Sequence, residues 1–175
     1  MHGKSTKKYR IPRFIITFVA QKLRMERLEQ IKGPISNEFE VFKQKFDASL
    51  QSSNPLLGEV INFIKQRKGK MMRPMLTLLM AKLCGEIKDS TYDVAISLEL
   101  LHTASLVHDD VVDESDKRRG QSSVNAIYDN KVSVLVGDYL LATSLTNAAL
   151  TMDIRLVELV SHLGQQLSEG EIIQL

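Results

Sequence analysis

The sequence has few of the residues that mark several protein classes. A single cysteine, Cys84, in 175 residues excludes an internal disulfide framework and a cysteine-rich zinc site. It fits a reducing compartment, and we expect a cytoplasmic protein. No apolar run reaches the roughly 18 to 20 residues that cross a bilayer, so no integral membrane segment is expected. A net charge of +2 argues against a dedicated nucleic-acid binder.

Acidic residues are missing from the first 25 positions, where lysines and arginines flank a short apolar stretch at 14–20. We expect residues 1–24 to be a basic, disordered extension and residues 25–175 to form the folded domain. An organelle presequence is the alternative, because such segments are basic and poor in acids. Hydrophobic residues make up 43% and charged residues 25%, a balance that predicts a globular core.

Strand signals are also missing, since there is no apolar–polar alternation bounded by turns and no Asn-Gly or Asp-Gly pair. Helical periods dominate and predict an all-α fold in which helix packs on helix. Cap residues predict where several helices begin or end, namely Asn54, Pro55, Gly85 and Asp153. The predicted helices lie at about 25–50 with a break near Gly33-Pro34, 55–64, 75–83, 91–113, 132–152 and 154–175, and a polar loop is predicted at 114–123.

The clearest chemical signal is the acidic end of the 91–113 helix. Asp109 and Asp113 are four positions apart and project from one helix face, where like charges repel each other, and Asp110 adds to the cost. Such a cluster at the end of an apolar helix requires a compensating cation. Aspartate oxygens without nearby thiols favour Mg²⁺, which typically uses one or two carboxylates plus substrate phosphates. A solvated acidic helix end is the alternative interpretation.

Basic residues adjoin this acidic cluster in sequence and along the helix. Lys117-Arg118-Arg119-Gly120 follows directly, and the planar fork of arginine suits phosphate oxygens. Lys70 and Arg73 flank the start of another helix, whose backbone N–H groups favour anions. His102 lies two turns before Asp109 on the same face. One metal-dependent and one basic anion site indicate two phosphorylated substrates, and the apolar helix between them indicates hydrocarbon tails. Solvated ion-pair loops are the alternative.

The run Asp109 to Asp113 followed by Arg118-Arg119-Gly120 resembles the DDxxD region of the trans-isoprenyl diphosphate synthases, the polyprenyl synthetase family. Residues 68–74 are similar to the family's Gly-Gly-Lys-Arg-x-Arg-Pro motif, with Lys68 and Met71 departing from it. The resemblance covers about 25–175. It implies an isoprenoid-synthase-type helical bundle, truncated to its first half because family members are nearly twice as long.

The resemblance implies a Mg²⁺-dependent prenyltransferase. It would condense isopentenyl diphosphate with an allylic diphosphate, either farnesyl or geranylgeranyl diphosphate, into an all-trans polyprenyl diphosphate. In the implied catalytic set, Asp109 and Asp113 bind Mg²⁺ and the allylic diphosphate, and Asp110 supports them. Arg118 contacts the allylic diphosphate. The implied ligands of isopentenyl diphosphate are Lys70, Arg73, His102 and Arg119. Departing pyrophosphate takes the proton, so no protein base is implied.

Product length is also partly implied by the resemblance, through Leu101, Ala104 and Ser105 on the helix before the aspartates. Neither Ala104 nor Ser105 is aromatic, which implies a medium- or long-chain product like those of octaprenyl or solanesyl synthases. Close helix packing is the alternative reason for small residues there. Glu171 and Gln174 correspond to a polar pair that faces the cavity.

Family likeness further implies a homodimer formed through the region after Val132 and a product that associates with membranes. It also implies that this chain alone has no activity, because the family's second aspartate-rich motif lies in the other half. A catalytically silent subunit or interaction module on the same fold is the alternative function. A carboxylate-bridged di-iron bundle would need two Glu-x-x-His pairs, and the sequence has one, Glu99 and His102.

Overall fold

The computed structural model describes residues 27–66 and 69–174. Helical turns at 27–32 lead through a 3-10 turn, Gly33–Ile35, into the first of six longer helices in this part of the chain. These are α1 (Ser36–Ser49), α2 (Pro55–Gln66), α3 (Met72–Cys84), α4 (Asp89–Val112), α5 (Val124–Leu150) and α6 (Ile154–Gln174). The expected extension at 1–24, the motif residue Lys68 and the last residue, Leu175, lie outside the described residues.

The helix boundaries that depend on cap residues are confirmed. Asn54 Oδ1 accepts a hydrogen bond from the N–H of Leu57 at 3.1 Å, so α2 begins where predicted. Asp153 Oδ1 accepts from the N–H of Arg155 at 3.0 Å and caps α6. Gly85, with a φ of 147°, ends α3 in a conformation that L side chains rarely adopt. The break at the Gly33-Pro34 pair is present as the 3-10 turn.

Two predicted helix starts are wrong. Helix α5 begins at Val124 rather than near Val132, and it contains a kink at Asp129, where φ is 73° and ψ is 170°. Because Asp129 Oδ1 accepts a hydrogen bond from the N–H of Val132 at 3.0 Å, it caps the second segment, which is the start that the sequence indicates. Helix α3 begins two residues before Pro74, since proline is tolerated in a first turn whose N–H groups lack intrahelical partners.

The expectation that the chain contains no strand is also wrong. The loop after α4 folds into a small antiparallel hairpin of β1 (Lys117–Arg118) and β2 (Gln121–Ser122). Arg119 and Gly120 both have left-handed backbones, with φ of 53° and 80°, as a two-residue turn between right-twisted strands requires. Strands of two residues are too short for any alternation to appear in the sequence.

Helix α4 lies at the centre of the fold, where it packs mainly on α5 and also contacts α1, α3 and α6. Ser97 of α4 and Ser144 of α5 are fully buried at this contact, with their hydroxyl oxygens 3.1 Å apart. Apart from the hairpin, the all-α prediction is confirmed. No helix in the described residues is long and apolar enough to span a membrane. The main core is built from α1 to α5 around Phe39, Phe42, Met75, Leu78, Ile96, Leu100 and Leu140.

Candidate functional site

The last turn of α4 presents two of the three aspartates to the same region. Asp113 ends the helix, and its N–H donates to the carbonyl oxygen of Asp109 at 2.8 Å. Asp113 is exposed and Asp109 is half-buried. Burial raises the pKa of Asp109, and the carboxylate of Glu171 on α6 raises it further, while Arg118 opposes the shift. Three carboxyl groups from α4 and α6 therefore lie in one electrostatic neighbourhood.

Asp110 has a different environment from its two neighbours. Its residue exposure is 1%, and Oδ1 accepts a hydrogen bond from Arg118 Nε at 2.6 Å. The other oxygen, Oδ2, is buried and has no hydrogen-bond partner among the described residues. Helical geometry rotates successive residues by about 100°, so Asp110 points away from the face that Asp109 and Asp113 share. Its carboxylate anchors the loop arginine.

The hairpin brings basic side chains back over the end of α4. Backbone contacts support it, since the N–H of Ser115 donates to the carbonyl oxygen of Asp110 at 2.9 Å and that of Ser123 to Asp116 at 2.9 Å. The side-chain amide of Asn125 donates to the carbonyl oxygens of Asp110 and Ser115 at 3.2 and 3.3 Å. The predicted adjacency of an acidic cluster and a basic loop is therefore present in three dimensions.

Several residues of the predicted basic anion site also meet. His102 on α4 has its pKa lowered to about 4, first by burial and then by the positive charges of Arg73, Arg119 and Arg118. Those three arginines therefore lie within electrostatic range of one imidazole. Lys70 is exposed in the segment before α3, where Met71 takes a left-handed backbone with φ of 45° and turns the chain into the helix.

Glu99 was not among the predicted site residues. Its Oε2 is buried without a hydrogen-bond partner in the described part of the chain. Burial raises the pKa of Glu99, and Arg73 opposes that shift, which puts Glu99 beside the basic cluster. The sequence did carry a signal, because Glu99 and His102 are three apart on one helix face.

His108 and Gly137 form a close contact that the sequence did not reveal. The imidazole of His108 lies against α5, with Nε2 3.3 Å from the carbonyl oxygen of Val134 and 3.4 Å from Oδ1 of Asp138. A Cβ added at Gly137 would lie 2.2 Å from His108 Nε2. The glycine therefore makes room for the histidine.

The three positions implied to control product length differ in exposure. Leu101 and Ala104 are buried at 3% and 2%, and Leu101 packs with Ala148 and Val160 in a small cluster between α4, α5 and α6. Ser105 is half-buried, and its hydroxyl donates to the carbonyl oxygen of His102 at 2.9 Å. Ser105 thus lies one turn before Asp109 on the more accessible face.

The polar pair on α6 is only partly brought to this region. Glu171 is half-buried and acts on Asp109, as its effect on that pKa indicates. Gln174 is exposed, and its side-chain amide donates to the carbonyl oxygen of Gly170 at 3.3 Å within its own helix.

The carboxylates at the end of α4 can supply part of the coordination shell of Mg²⁺. Within residues 27–66 and 69–174 no group of three or more His, Cys, Asp or Glu side chains is arranged to hold a metal ion. Asp109 and Asp113 supply two hard oxygen donors whose mutual repulsion favours a cation. Mg²⁺ commonly takes one or two carboxylates and completes its shell with water and substrate phosphates. The residues therefore fit an ion that is shared with a phosphorylated ligand.

Comparison with known proteins agrees with this fold. The structure of a decaprenyl diphosphate synthase from Rhodobacter capsulatus matches with a TM-score of 0.80 and 36% identity, over 84% of this chain and 46% of that chain. A polyprenyl synthase from Caulobacter crescentus, complexed with calcium and isoprenyl diphosphate, matches with a TM-score of 0.79 and 28% identity, over 84% and 45%. The fold is thus the helical fold of the isoprenoid synthases.

The sequence comparisons identify the family. The model of the Polyprenyl synthetase family matches residues 54–175. The octaprenyl diphosphate synthase of Haemophilus influenzae is 35% identical over 148 residues, which are 85% of this chain and 45% of that protein. The chain belongs to the polyprenyl synthetase family. It spans about half the length of the curated relatives that it matches.

Proposed function

We propose that this chain carries the diphosphate-binding part of a prenyltransferase that condenses isopentenyl diphosphate with an allylic diphosphate. The allylic substrate is farnesyl or geranylgeranyl diphosphate, and the product is a medium- or long-chain all-trans polyprenyl diphosphate. The observation that carries the proposal is the meeting of Asp109 and Asp113 with a hairpin that bears Arg118 and Arg119. Carboxylates and arginines grouped in this way suit a Mg²⁺ diphosphate.

Two anion subsites divide the charged residues. In the first, Asp109 and Asp113 hold Mg²⁺ with the allylic diphosphate, and Arg118 contacts the same diphosphate from the hairpin. In the second, Lys70, Arg73, His102 and Arg119 hold isopentenyl diphosphate. The shared influence of Arg73 and Arg119 on His102 supports this second subsite. Glu171 and Gln174 belong to the polar wall opposite α4.

His102 has a defined part in this scheme. Because burial and three arginines keep its pKa near 4, its ring is neutral at physiological pH and offers one N–H donor to a diphosphate oxygen. Arg73 and Arg119 supply the positive charge. Before a ligand binds, the site therefore holds a neutral imidazole among the arginines.

The reaction uses these residues mainly for electrostatic stabilisation. Bound Mg²⁺ would supply positive charge to the departing diphosphate. Arg118, whose Nε–H is held by Asp110, would donate its remaining N–H groups to the same oxygens as negative charge develops. The bond between the allylic carbon and its diphosphate oxygen breaks, the double bond of isopentenyl diphosphate forms the new carbon–carbon bond at that carbon, and the resulting cation loses a proton. No protein base is assigned, since pyrophosphate can take the proton.

Product length depends on the open face of α4. Ser105, which is half-buried and one turn before Asp109, lies where a hydrocarbon chain attached to the bound diphosphate would run. The absence of a ring at this position supports a long product. Ala104 and Leu101, which are buried, would act on product length by setting the helix packing beneath that face.

We propose a reducing cytoplasm as the cellular setting and a homodimer as the assembly. The exposed thiol of Cys84 suits a reducing cytoplasm. Exposed apolar side chains on α5 and α6, such as Leu135 and Leu159, support a homodimer. The partners are the two diphosphates, with no role for nucleic acid, and the apolar product associates with membranes. Since the chain spans about half of its relatives, turnover is proposed for an intact-length version and not for this chain alone.

The test has a binding step and a turnover step. Calorimetry on this chain measures binding of farnesyl diphosphate with and without Mg²⁺, and we expect Asp109→Ala and Asp113→Ala to abolish the Mg²⁺-dependent part. The control is Glu158→Gln, which alters an exposed carboxylate on α6. Radiolabelled isopentenyl diphosphate then reports elongation by an intact-length version. Elongation that persists in both aspartate variants contradicts the proposal, and binding without any elongation supports the silent-subunit alternative.

A further inference from the structure

The residue before the aspartate pair is held against the neighbouring helix. His108 of α4 places its ring over α5, where Nε2 approaches the carbonyl oxygen of Val134 at 3.3 Å and Oδ1 of Asp138 at 3.4 Å. Both partners are acceptors, so this arrangement requires the ring proton on Nε2. The carboxylate of Asp138 is 59% exposed and adds little, because solvent screens it. The backbone contact and the close packing dominate.

Gly137 is the reason the ring can lie there. Glycine in a helix interior costs roughly 0.5 to 1 kcal/mol relative to alanine, so a buried glycine in the middle of α5 needs a compensating role. A Cβ at this position would lie within 2.2 to 2.9 Å of three atoms of the His108 ring. These separations are too short for any non-bonded pair. The missing side chain thus creates the groove into which His108 fits.

Asp109 is therefore held on both sides in sequence. His108 is fixed to the middle of α5, and Asp110 is fixed to Arg118 and, through its carbonyl oxygen, to Asn125 at the start of α5. Anchoring both neighbours of a residue restrains rotation and sliding of the helix at that residue. Asp109 is left facing the open side together with Asp113.

From this geometry we propose that His108 and Gly137 are positioning residues, which fix the rotation of α4 so that the carboxylates of Asp109 and Asp113 share one cation. The inference rests on the proposed function, because it assigns a purpose to the orientation of those carboxylates. His108 and Gly137 do not touch the ligand. They act by limiting the movement of the carboxylates that do.

A pair of complementary substitutions tests the contact itself. Gly137→Ala places a methyl group where the ring lies. Because that ring is the outer end of a side chain that is 32% exposed, it can swing aside, and we expect the Tm to fall by about 2 to 4 °C for a chain of this size. His108→Ala removes the ring, so the double variant His108→Ala, Gly137→Ala should recover at least half of that loss. The control is Gly164→Ala on α6, where the added Cβ would lie 3.7 Å from Leu101, an ordinary contact. Additive losses in the double variant would refute the proposed contact.

Titration of Mg²⁺ tests the positioning role apart from stability. With farnesyl diphosphate present, we expect His108→Ala to raise the Mg²⁺ concentration at half-saturation by about tenfold, the typical effect of removing a supporting group. Binding of isopentenyl diphosphate without Mg²⁺ should change less than about twofold, since that subsite lies towards His102. His108→Gln, whose amide can donate to the same carbonyl oxygen, should recover part of the Mg²⁺ affinity.

The outcomes separate this inference from the proposed function. If His108→Ala retains the wild-type Mg²⁺ affinity while Asp109→Ala loses it, the positioning role is overturned and the proposed function stands. If the wild-type chain binds farnesyl diphosphate with no dependence on Mg²⁺, the proposed function is contradicted, and the positioning role is contradicted with it. If His108→Ala and His108→Gln have the same Tm but His108→Ala binds Mg²⁺ more weakly, the positioning role is supported.

Discussion

Arg118 and Asp110 form an unequal ion pair: the guanidinium side chain is 31% exposed, whereas the carboxylate side chain is 2% exposed, and 2.6 Å separates Nε from Oδ1. The aspartate therefore depends on the arginine far more than the arginine depends on the aspartate. An exposed guanidinium without its partner can turn to water, but a buried carboxylate cannot.

The unequal exposure leads to unequal costs of substitution. We expect Arg118→Ala to lower the free energy of unfolding by about 3 kcal/mol, because it leaves a buried carboxylate uncompensated. Asp110→Ala should cost less, about 1 to 2 kcal/mol. Urea denaturation of the two variants measures the difference. An equal cost for both, or a larger cost for Asp110→Ala, would contradict the burial seen here, and Lys117→Ala on the same hairpin is the matched control.

The Asp109 carboxylate should destabilise the folded chain at neutral pH, although the proposed function requires it for binding Mg²⁺. Burial and the carboxylate of Glu171 raise its pKa, so the folded chain binds more protons than the unfolded chain above the usual carboxyl pKa, and stability falls as pH rises through that range. We expect Asp109→Asn to stabilise the fold at neutral pH, because a neutral amide is penalised neither by burial as an anion nor by the nearby carboxylate of Glu171. The gain should vanish in acid, where both states are protonated.

When farnesyl diphosphate and Mg²⁺ are present, we expect the wild-type chain to have a higher Tm than Asp109→Asn, the reverse of their order without ligand. Ligand that binds the folded chain raises its Tm, and only the chain with Asp109 should respond. A variant that is less stable than wild type at neutral pH, or that keeps the ligand-induced rise, would contradict the assignment.

His102 should make stability fall in mild acid. Its pKa of about 4 in the folded chain is below the usual 6.5, so between these values the unfolded chain takes up the proton first and stability declines as pH decreases. From pH 7 to pH 5 we expect a loss of about 1 kcal/mol, roughly half of the full conversion because the side chain is partly exposed. His102→Gln should remove this loss. NMR titration of the imidazole gives the pKa directly, and a value near 6.5 would contradict the burial among arginines.

The buried serine pair should show strong coupling. Ser144 donates to the carbonyl oxygen of Ser97 at 2.8 Å, and the two hydroxyl oxygens are 3.1 Å apart in the α4–α5 contact. Ser144→Ala leaves the Ser97 hydroxyl without that partner, at a cost of about 1 to 2 kcal/mol. Replacing both serines removes both polar groups, so the double variant should cost less than the sum of the single variants. A double-mutant cycle in urea measures the coupling, and strict additivity would contradict it.

Product length should respond to a ring at Ser105 in an intact-length version of the protein. Ser105 lies one turn before Asp109 on the accessible face, so Ser105→Phe should shorten the polyprenyl products seen by thin-layer chromatography. Ser105→Thr, which keeps the hydroxyl, is the control. Ala104→Phe should instead lower stability by about 1 to 3 kcal/mol, because its position is 2% exposed and a ring would overpack the core. Unchanged products in Ser105→Phe would remove Ser105 from the proposal.

Local signals account for what the sequence predicted of the fold. Asn54, Gly85 and Asp153 act within a few residues of themselves, so their caps could be read directly. The start of α5 was misplaced because the cap at Asp129 marks only the second segment of the helix. The first segment, which begins at Val124, lies before the kink. The hairpin was missed because its turn is Arg-Gly and its strands are two residues long.

In the candidate site, too, the features that follow from spacing within one helix were predictable, whereas the contacts between helices were not. Helical spacing predicted that Asp109 and Asp113 share a face, and the same spacing turns Asp110 about 100° away, a distinction that could have been drawn from the sequence. The approach of Glu171 to Asp109, and of Gly137 to His108, depends on how α5 and α6 pack against α4. A lone glycine in an apolar helix marks such a contact without naming its partner.

The hairpin after α4 has consequences for handling the protein. Two residues per strand give it no stability of its own, so its shape depends on the contacts that Asp110 and Asn125 make with it. Lys117, Arg118 and Arg119 are all cleavage points for trypsin. Cleavage at these bonds that is faster in a variant than in the wild-type chain therefore indicates that the end of α4 is disturbed, and it offers a rapid check before any ligand is added.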